Sequence, residues 1–160
     1  MDYSNIQTIT SSIFIIIIYA IFMWLYINNS TDENKVIVYG MFMCYILGYI
    51  YLTYFNRVGG HGTLELDPFA RLIEEIKNGK FPYETLLNVL LFVPVGMTLP
   101  LLSRQKMDCR NTAIAAAGLS LFTELLQLAA KRGWFETKDL LTNTVGAVLG
   151  YFFFVKVLDR

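Results

Sequence analysis

Charge is scarce in this chain, and what there is cancels. Asp, Glu, Lys and Arg make up 16% of the 160 residues, with 13 basic against 13 acidic side chains. A nucleic-acid binder needs a basic surface to meet phosphates, and no basic block exists here. Histidine occurs once, at His61, and cysteine twice, at Cys44 and Cys109. That supply and spacing exclude a His/Cys metal site. Cys44 falls inside an apolar stretch and Cys109 between two of them, so a disulfide is not expected. There is no Ser-His-Asp order and no phosphate loop, and no cofactor is implied. Nothing marks a second domain or a repeat, so residues 1–160 read as one domain.

What the chain does have is hydrocarbon. Hydrophobic residues reach 55%, and charges sit in short islands between long uncharged runs. That composition predicts an all-α integral membrane protein rather than a soluble core. The N-terminus does not read as a cleavable signal peptide, because Asp2 replaces the basic region and the apolar run is too long.

Five apolar segments are long enough to span. The first covers roughly residues 8–28, with Trp24 and Tyr26 at its far interface. The second covers Lys35 to Phe55, rich in tyrosines expected to anchor at interfaces and pack helices. A third runs from about Thr85 to Leu102, with Pro94 and Pro100 expected to kink it. A fourth runs from about Asn111 to Ala130, its first half small-residue-rich for close helix contact. The fifth runs from about Leu140 to Leu158, with Gly146 and Gly150 one turn apart.

Between the second and third lies the longest polar stretch. Gly59, Gly60 and Gly62 surround His61 in a loop whose histidine is a weak candidate for acid, base or ligand. Asp67-Pro68 then reads as a cap and first helical position, followed by Phe69, Leu72, Ile73 and Ile76 at amphipathic spacing. This predicts a short interfacial helix, lying on the membrane surface or covering the bundle. The expected architecture is thus a bundle of five transmembrane helices with one short amphipathic helix between helices 2 and 3.

An odd number of crossings gathers the intramembrane polar groups. Asn88 opens the third helix, Glu124 and Gln127 close the fourth, and Asn143 opens the fifth. Alternation puts all of them at the end of the N-terminus, with Arg132, Glu136 and Asp139 in the adjoining loop. Glu124 and Gln127 share a face with Ser120, and should point inward because a carboxylate facing lipid is costly. Arg132 is a plausible ion partner for Glu124 or Asp139, and the amides of Asn88 and Asn143 add donors and acceptors. Polar glue between helices is the alternative to a site. Glu124 with Asp139 or Glu136 is a weak candidate for an acid–base pair or an oxygen-lined divalent site.

At these residues the chain resembles the VanZ-like family. Asn88-Val-Leu-Leu-Phe92-Val-Pro94-Val-Gly96 is similar to one family helix, and Ser120-x-x-x-Glu124-x-x-Gln127 to a second. Asp139-x-x-x-Asn143-x-x-Gly146-x-x-x-Gly150-Tyr151 is similar to a third, with Arg132, Phe135 and Glu136 fitting the loop between and Pro68-Phe69 an element before. The likeness covers residues 66–153. Lys138 departs from it, standing where relatives often carry an acid, which argues against a metal. Glu136 stands for the more usual Asp, and Glu65 for an Asn.

The resemblance implies a bacterial multi-pass membrane protein connected with low-level resistance to teicoplanin-type glycopeptides. The ligand-binding residues are then Asn88, Glu124, Gln127, Arg132, Asp139 and Asn143, facing the outer surface. The partners are the bilayer and an acyl-bearing glycopeptide or a lipid-linked wall precursor. The alternative is an intramembrane enzyme on a lipid-linked envelope substrate, with Glu124 and Asp139 as acid–base groups. Lys and Arg divide seven to six between the two sides, so the count does not orient the chain. The dense group Arg104, Lys106 and Arg110, with Lys156 and Arg160, favours the N-terminus outside and the C-terminus inside.

Overall fold

A computed structural model gives the placement of residues 3–28, 35–55, 64–78, 82–103, 107–131 and 135–158. Six helices and two very short strands follow in order. They are α1 (Tyr3–Asn28), α2 (Lys35–Phe55), β1 (Leu64–Glu65), α3 (Ala70–Lys77), α4 (Tyr83–Leu102), α5 (Cys109–Ala129), β2 (Phe135–Glu136) and α6 (Thr137–Leu158). The five long helices match the five apolar segments, and the chain is essentially all-helical.

Local chemistry sets the helix limits. Asp67 Oδ1 accepts from the N–H groups of Phe69 at 2.9 Å and Ala70 at 3.2 Å, which starts α3 as the Asp-Pro pair predicts. Asp108 does the same for α5 through Asn111 N–H at 2.8 Å, two residues earlier than expected. Lys131, at φ 53°, ends α5 in a left-handed turn. One boundary corrects the sequence reading: α6 begins at Thr137, not near Leu140, so Lys138 and Asp139 lie in its first turn rather than in the loop. An acid there meets the positive end of the helix, and that offsets its poor helix propensity.

Helix α4 is the centre of the bundle. Leu91, Phe92, Val95, Gly96, Met97 and Thr98 are all buried, and the helix runs unbroken through Pro94 and Pro100. The Tyr45 hydroxyl donates to the Leu91 carbonyl beside the gap that Pro94 leaves in the backbone ladder. Helix α6 lies in van der Waals contact along α4. A methyl group at Gly146 would collide with the Val89 carbonyl, one at Gly150 with the Val93 carbonyl, and one at Gly96 with Ala147. Glycine is therefore required at these three positions by the distance between two backbones. The pairs 89 with 146 and 93 with 150 advance together, so α4 and α6 run parallel.

The remaining directions follow from single bonds. Asn143 on α6 bonds Ser120 on α5, and Glu136 just before α6 bonds Glu124, so α5 and α6 are antiparallel. Tyr39 donates to the Leu102 carbonyl at 2.9 Å, and Tyr45 to that of Leu91, so α2 runs against α4. These are the alternating directions that successive spans require.

By length and composition, α4 and α5 qualify as membrane-crossing helices among the described residues. Helices α1 and α2 carry shorter apolar stretches, Ile9–Trp24 and Ile37–Thr53. Helix α6 has Lys138, Asp139 and Lys156 near its ends. All five long helices nevertheless turn large apolar side chains outward, among them Phe14, Leu47, Leu86, Phe122 and Phe152. Phe69, just before α3, and Ile73 and Ile76 within it are exposed too. Ile73 and Ile76 therefore do not cover the bundle, which counts against α3 as a lid.

Candidate functional site

The site is built on one stripe of α5. Ser120, Thr123, Glu124 and Gln127 recur at the helical period, and all four are buried against the neighbouring helices. Thr123 meets the Tyr49 hydroxyl at 3.2 Å, and the Gln127 amide donates to the Thr53 carbonyl at 3.3 Å. Helix α2 thus closes the stripe on one side. On the other, Asn143 Nδ2 donates to Ser120 Oγ at 2.8 Å.

One turn beyond that bond the charged groups begin. Glu124 is 3% exposed, so its carboxylate points inward as its cost in lipid predicts. Its Oε2 accepts from the Glu136 backbone N–H at 3.0 Å. Residue 136 is held there by β1, whose Leu64 and Glu65 pair in parallel with Phe135 and Glu136. Two segments that sequence alone reads as loops are thus tied together beneath the end of α5.

Lys138 lies among the acids. Its Nζ stands 3.4 Å from Glu136 Oε2 and 3.9 Å from Asp139 Oδ1, and the lysine is 5% exposed. Removing each such ion from water costs several kcal/mol, so the arrangement holds only because opposite charges and backbone donors meet them. The antiparallel register of α5 and α6 follows from the bond between residues 120 and 143. One turn on, Glu124 and Asp139 stand at the same level on facing stripes.

The structure therefore brings Glu124, Gln127, Asp139 and Asn143 together at one end of the bundle. Asn88 lies at that same end, half-buried, next to the Val89 carbonyl that Gly146 approaches. Among the described residues it makes no bond to the cluster. Arg132, His61 and the glycine-rich loop lie outside the described residues. Among the described residues, the cation beside Asp139 is Lys138.

Lys138 escapes the sequence reading as a site residue, while Glu136 enters it only as a weak partner for Glu124. Lys138 looks like a loop charge when α6 is started at Leu140. A helix start at Thr137 would have placed Lys138 and Asp139 one turn below Asn143, and that was the available signal. The inward tyrosines are also more specific than anchoring predicts. Tyr45 and Tyr49, one turn apart on α2, are buried, whereas Tyr39 and Tyr51 are exposed. Tyr19 of α1 bonds Thr98 of α4, and its ring lies 4.8 Å from that of Tyr45.

A model of the VanZ/LLP1 family matches residues 12–158. The match includes α1 and α2, beyond the 66–153 stretch in which motifs are legible. No curated protein and no solved structure matches the chain.

Proposed function

The chain belongs to the VanZ/LLP1 family, and on that premise we propose a multi-pass membrane protein of the bacterial cell envelope. All five long helices cross the bilayer, and the N-terminus and the polar rim face outward. The outward apolar side chains on every long helix support this reading, because water would oppose so extensive an apolar surface. Helix α3 then rests in the interface with Phe69, Ile73 and Ile76 toward the acyl chains.

At that rim the protein binds or masks an acyl-bearing glycopeptide or a lipid-linked wall precursor, and so confers low-level resistance to teicoplanin-type drugs. The observation that carries the reading is the buried group of Glu124, Glu136, Lys138, Asp139 and Asn143 at one end of apolar rods. Asn88, Gln127 and Arg132 complete the proposed ligand set. Expression in a susceptible host should raise the inhibitory concentration of teicoplanin and leave that of vancomycin, which lacks the acyl chain, little changed. Glu124→Gln should remove the effect while the protein still reaches the membrane. No change for either drug would overturn the proposal.

A second reading rests on the facing levels of Glu124 and Asp139. Two carboxyl groups across a helix pair, with Lys138 beside one, suit acid–base work on a lipid-linked envelope substrate. Under it, Glu124→Gln and Asp139→Asn each abolish turnover. A phenotype that survives both substitutions excludes it.

A further inference from the structure

The segment from β1 through α3 carries a run of uncovered hydrocarbon. Leu64, Leu66, Phe69, Ile73 and Ile76 are all exposed. Single exposed apolar residues are ordinary, but a grouped set marks a surface that meets a partner. The Ile73 N–H donates to the Phe69 carbonyl at 2.8 Å, so the helical pattern already includes residue 69. Phe69, Ile73 and Ile76 therefore fall on one stripe. Arg71, Glu74, Glu75 and Lys77 occupy the positions between, which makes the helix amphipathic.

The bundle does not support this segment. Among the described residues, α3 makes only slight contact with any long helix. Its described tie to the protein is β1, two residues paired with Phe135 and Glu136. A helix of 8 residues is marginal in water on its own, and so is a two-stranded pair. A short helix and a short ladder thus stand together, neither self-supporting, with apolar side chains that no described element covers. A membrane interface supplies the missing partner for such a stripe.

The far end of the ladder is the buried rim. Glu136, paired with Glu65, gives its backbone N–H to Glu124 Oε2 at 3.0 Å, and its carboxylate lies 3.4 Å from Lys138 Nζ. Only Leu66 separates Glu65 from Asp67, whose carboxylate caps α3. One residue spans at most about 3.6 Å, so there is little slack between the helix and the ladder. A displacement of α3 must pull on Glu65 and, through it, on residue 136.

We propose that α3 is a lipid-dependent strap on the rim: its seating in the membrane interface holds the Glu136 N–H against Glu124. With α3 seated, β1 stays on β2 and the bond to Glu124 stands. With α3 lifted, the ladder loses its support and Glu124 loses this donor. The strap rests on the reading that the long helices cross a bilayer, and it adds a regulator to the rim described above.

The test uses the full chain in nanodiscs of phosphatidylethanolamine and phosphatidylglycerol, read by hydrogen exchange. Ile73→Ser with Ile76→Ser should speed exchange of the Glu136 amide about tenfold, while residues 91–97 of α4 stay protected. Ile73→Leu with Ile76→Leu should exchange as the wild type does, and so should Lys77→Ser. Seating is read separately, from a bimane on Ile76→Cys in a chain carrying Cys44→Ser and Cys109→Ser. Lipids with a nitroxide near the top of the acyl chain should quench it. Quenching with unaltered exchange in the serine variant would overturn the coupling alone. Absence of quenching would remove the seating and the strap with it. Equal loss of protection in residues 91–97 would also overturn the strap, because α3 would then hold the whole fold rather than the rim. Neither readout involves a glycopeptide, so the resistance assay judges the function of the rim independently.

Discussion

Lys138 is the residue on which the electrostatics of the rim turn. It is buried between Glu136 and Asp139, and no other described cation lies beside these acids. Breaking a buried ion pair from one side leaves uncompensated charge, at a cost of about 3–5 kcal/mol. Lys138→Met should therefore unfold at markedly lower temperature in detergent, while the shape-matched side chain keeps the packing. Adding Glu136→Gln should recover part of the loss, because the two residues share one interaction and their effects are not additive. A double variant no better than the single would show that Glu136 and Lys138 are not coupled. Glu124 behaves differently. Its Oε2 accepts from the Glu136 backbone N–H, so Glu124→Gln keeps an acceptor oxygen and should cost only about 1–2 kcal/mol. Much of this was legible from single residues. Glu124 had to face inward because of its charge, and Asn143 had to be near because alternation put it there. Lys138 was not legible as a buried group, since its burial depends on where α6 starts and on a strand pair between two distant loops.

The pairing of α4 with α6 decides whether that rim exists. Between helices in lipid, hydrophobic burial gives little net drive, and close packing must supply it. Gly96, Gly146 and Gly150 let the two backbones touch, and each would lose that contact with any side chain. Gly146→Leu should separate the helices near Val89, at a cost of about 1–3 kcal/mol, and should open the rim beside Asn143. Gly40 and Gly118 have nothing near them, so Gly118→Ala should be neutral or slightly stabilising. Parallel melts of the two variants separate these cases, and equal loss in both would refute close contact as the role of Gly146. Sequence showed the Gly146-x-x-x-Gly150 stripe but not its partner. The helix it packs on is α4, with Val89 and Val93 each 57 residues earlier in the chain, and Gly96 answers it from that side. Periodicity reports which face of a helix is unusual, and only the assembled bundle reports what that face meets.

Whether the five rods lie across a bilayer is a property of the whole molecule. The sequence predicted five spans from uncharged runs. The structure supplies alternating directions and outward apolar faces, while among the described residues only α4 and α5 are long and apolar enough to span. That gap has a physical origin. Spanning helices that line a polar interior carry Ser, Thr, Asn and ionisable groups inward, which lowers their mean hydropathy without exposing those groups to lipid. Helix α6 turns Lys138, Asp139 and Asn143 inward, all of them buried, as a span of that kind would. Two thiol positions test the arrangement. Cys109 opens α5 at one end of the bundle, and Lys131 is exposed just past the other end of the same helix. Cys44 lies mid-way along α2 and should be shielded by acyl chains from a charged maleimide. In intact cells the reagent should modify a Lys131→Cys variant and spare Cys109, and permeabilisation should expose Cys109. The reverse pattern would turn the protein over and place the rim inside, where an acyl glycopeptide does not act. Modification of both positions from one side would mean that α5 does not cross the membrane, and the alternation that gathers Asn88, Glu124 and Asn143 could not then be attributed to membrane topology.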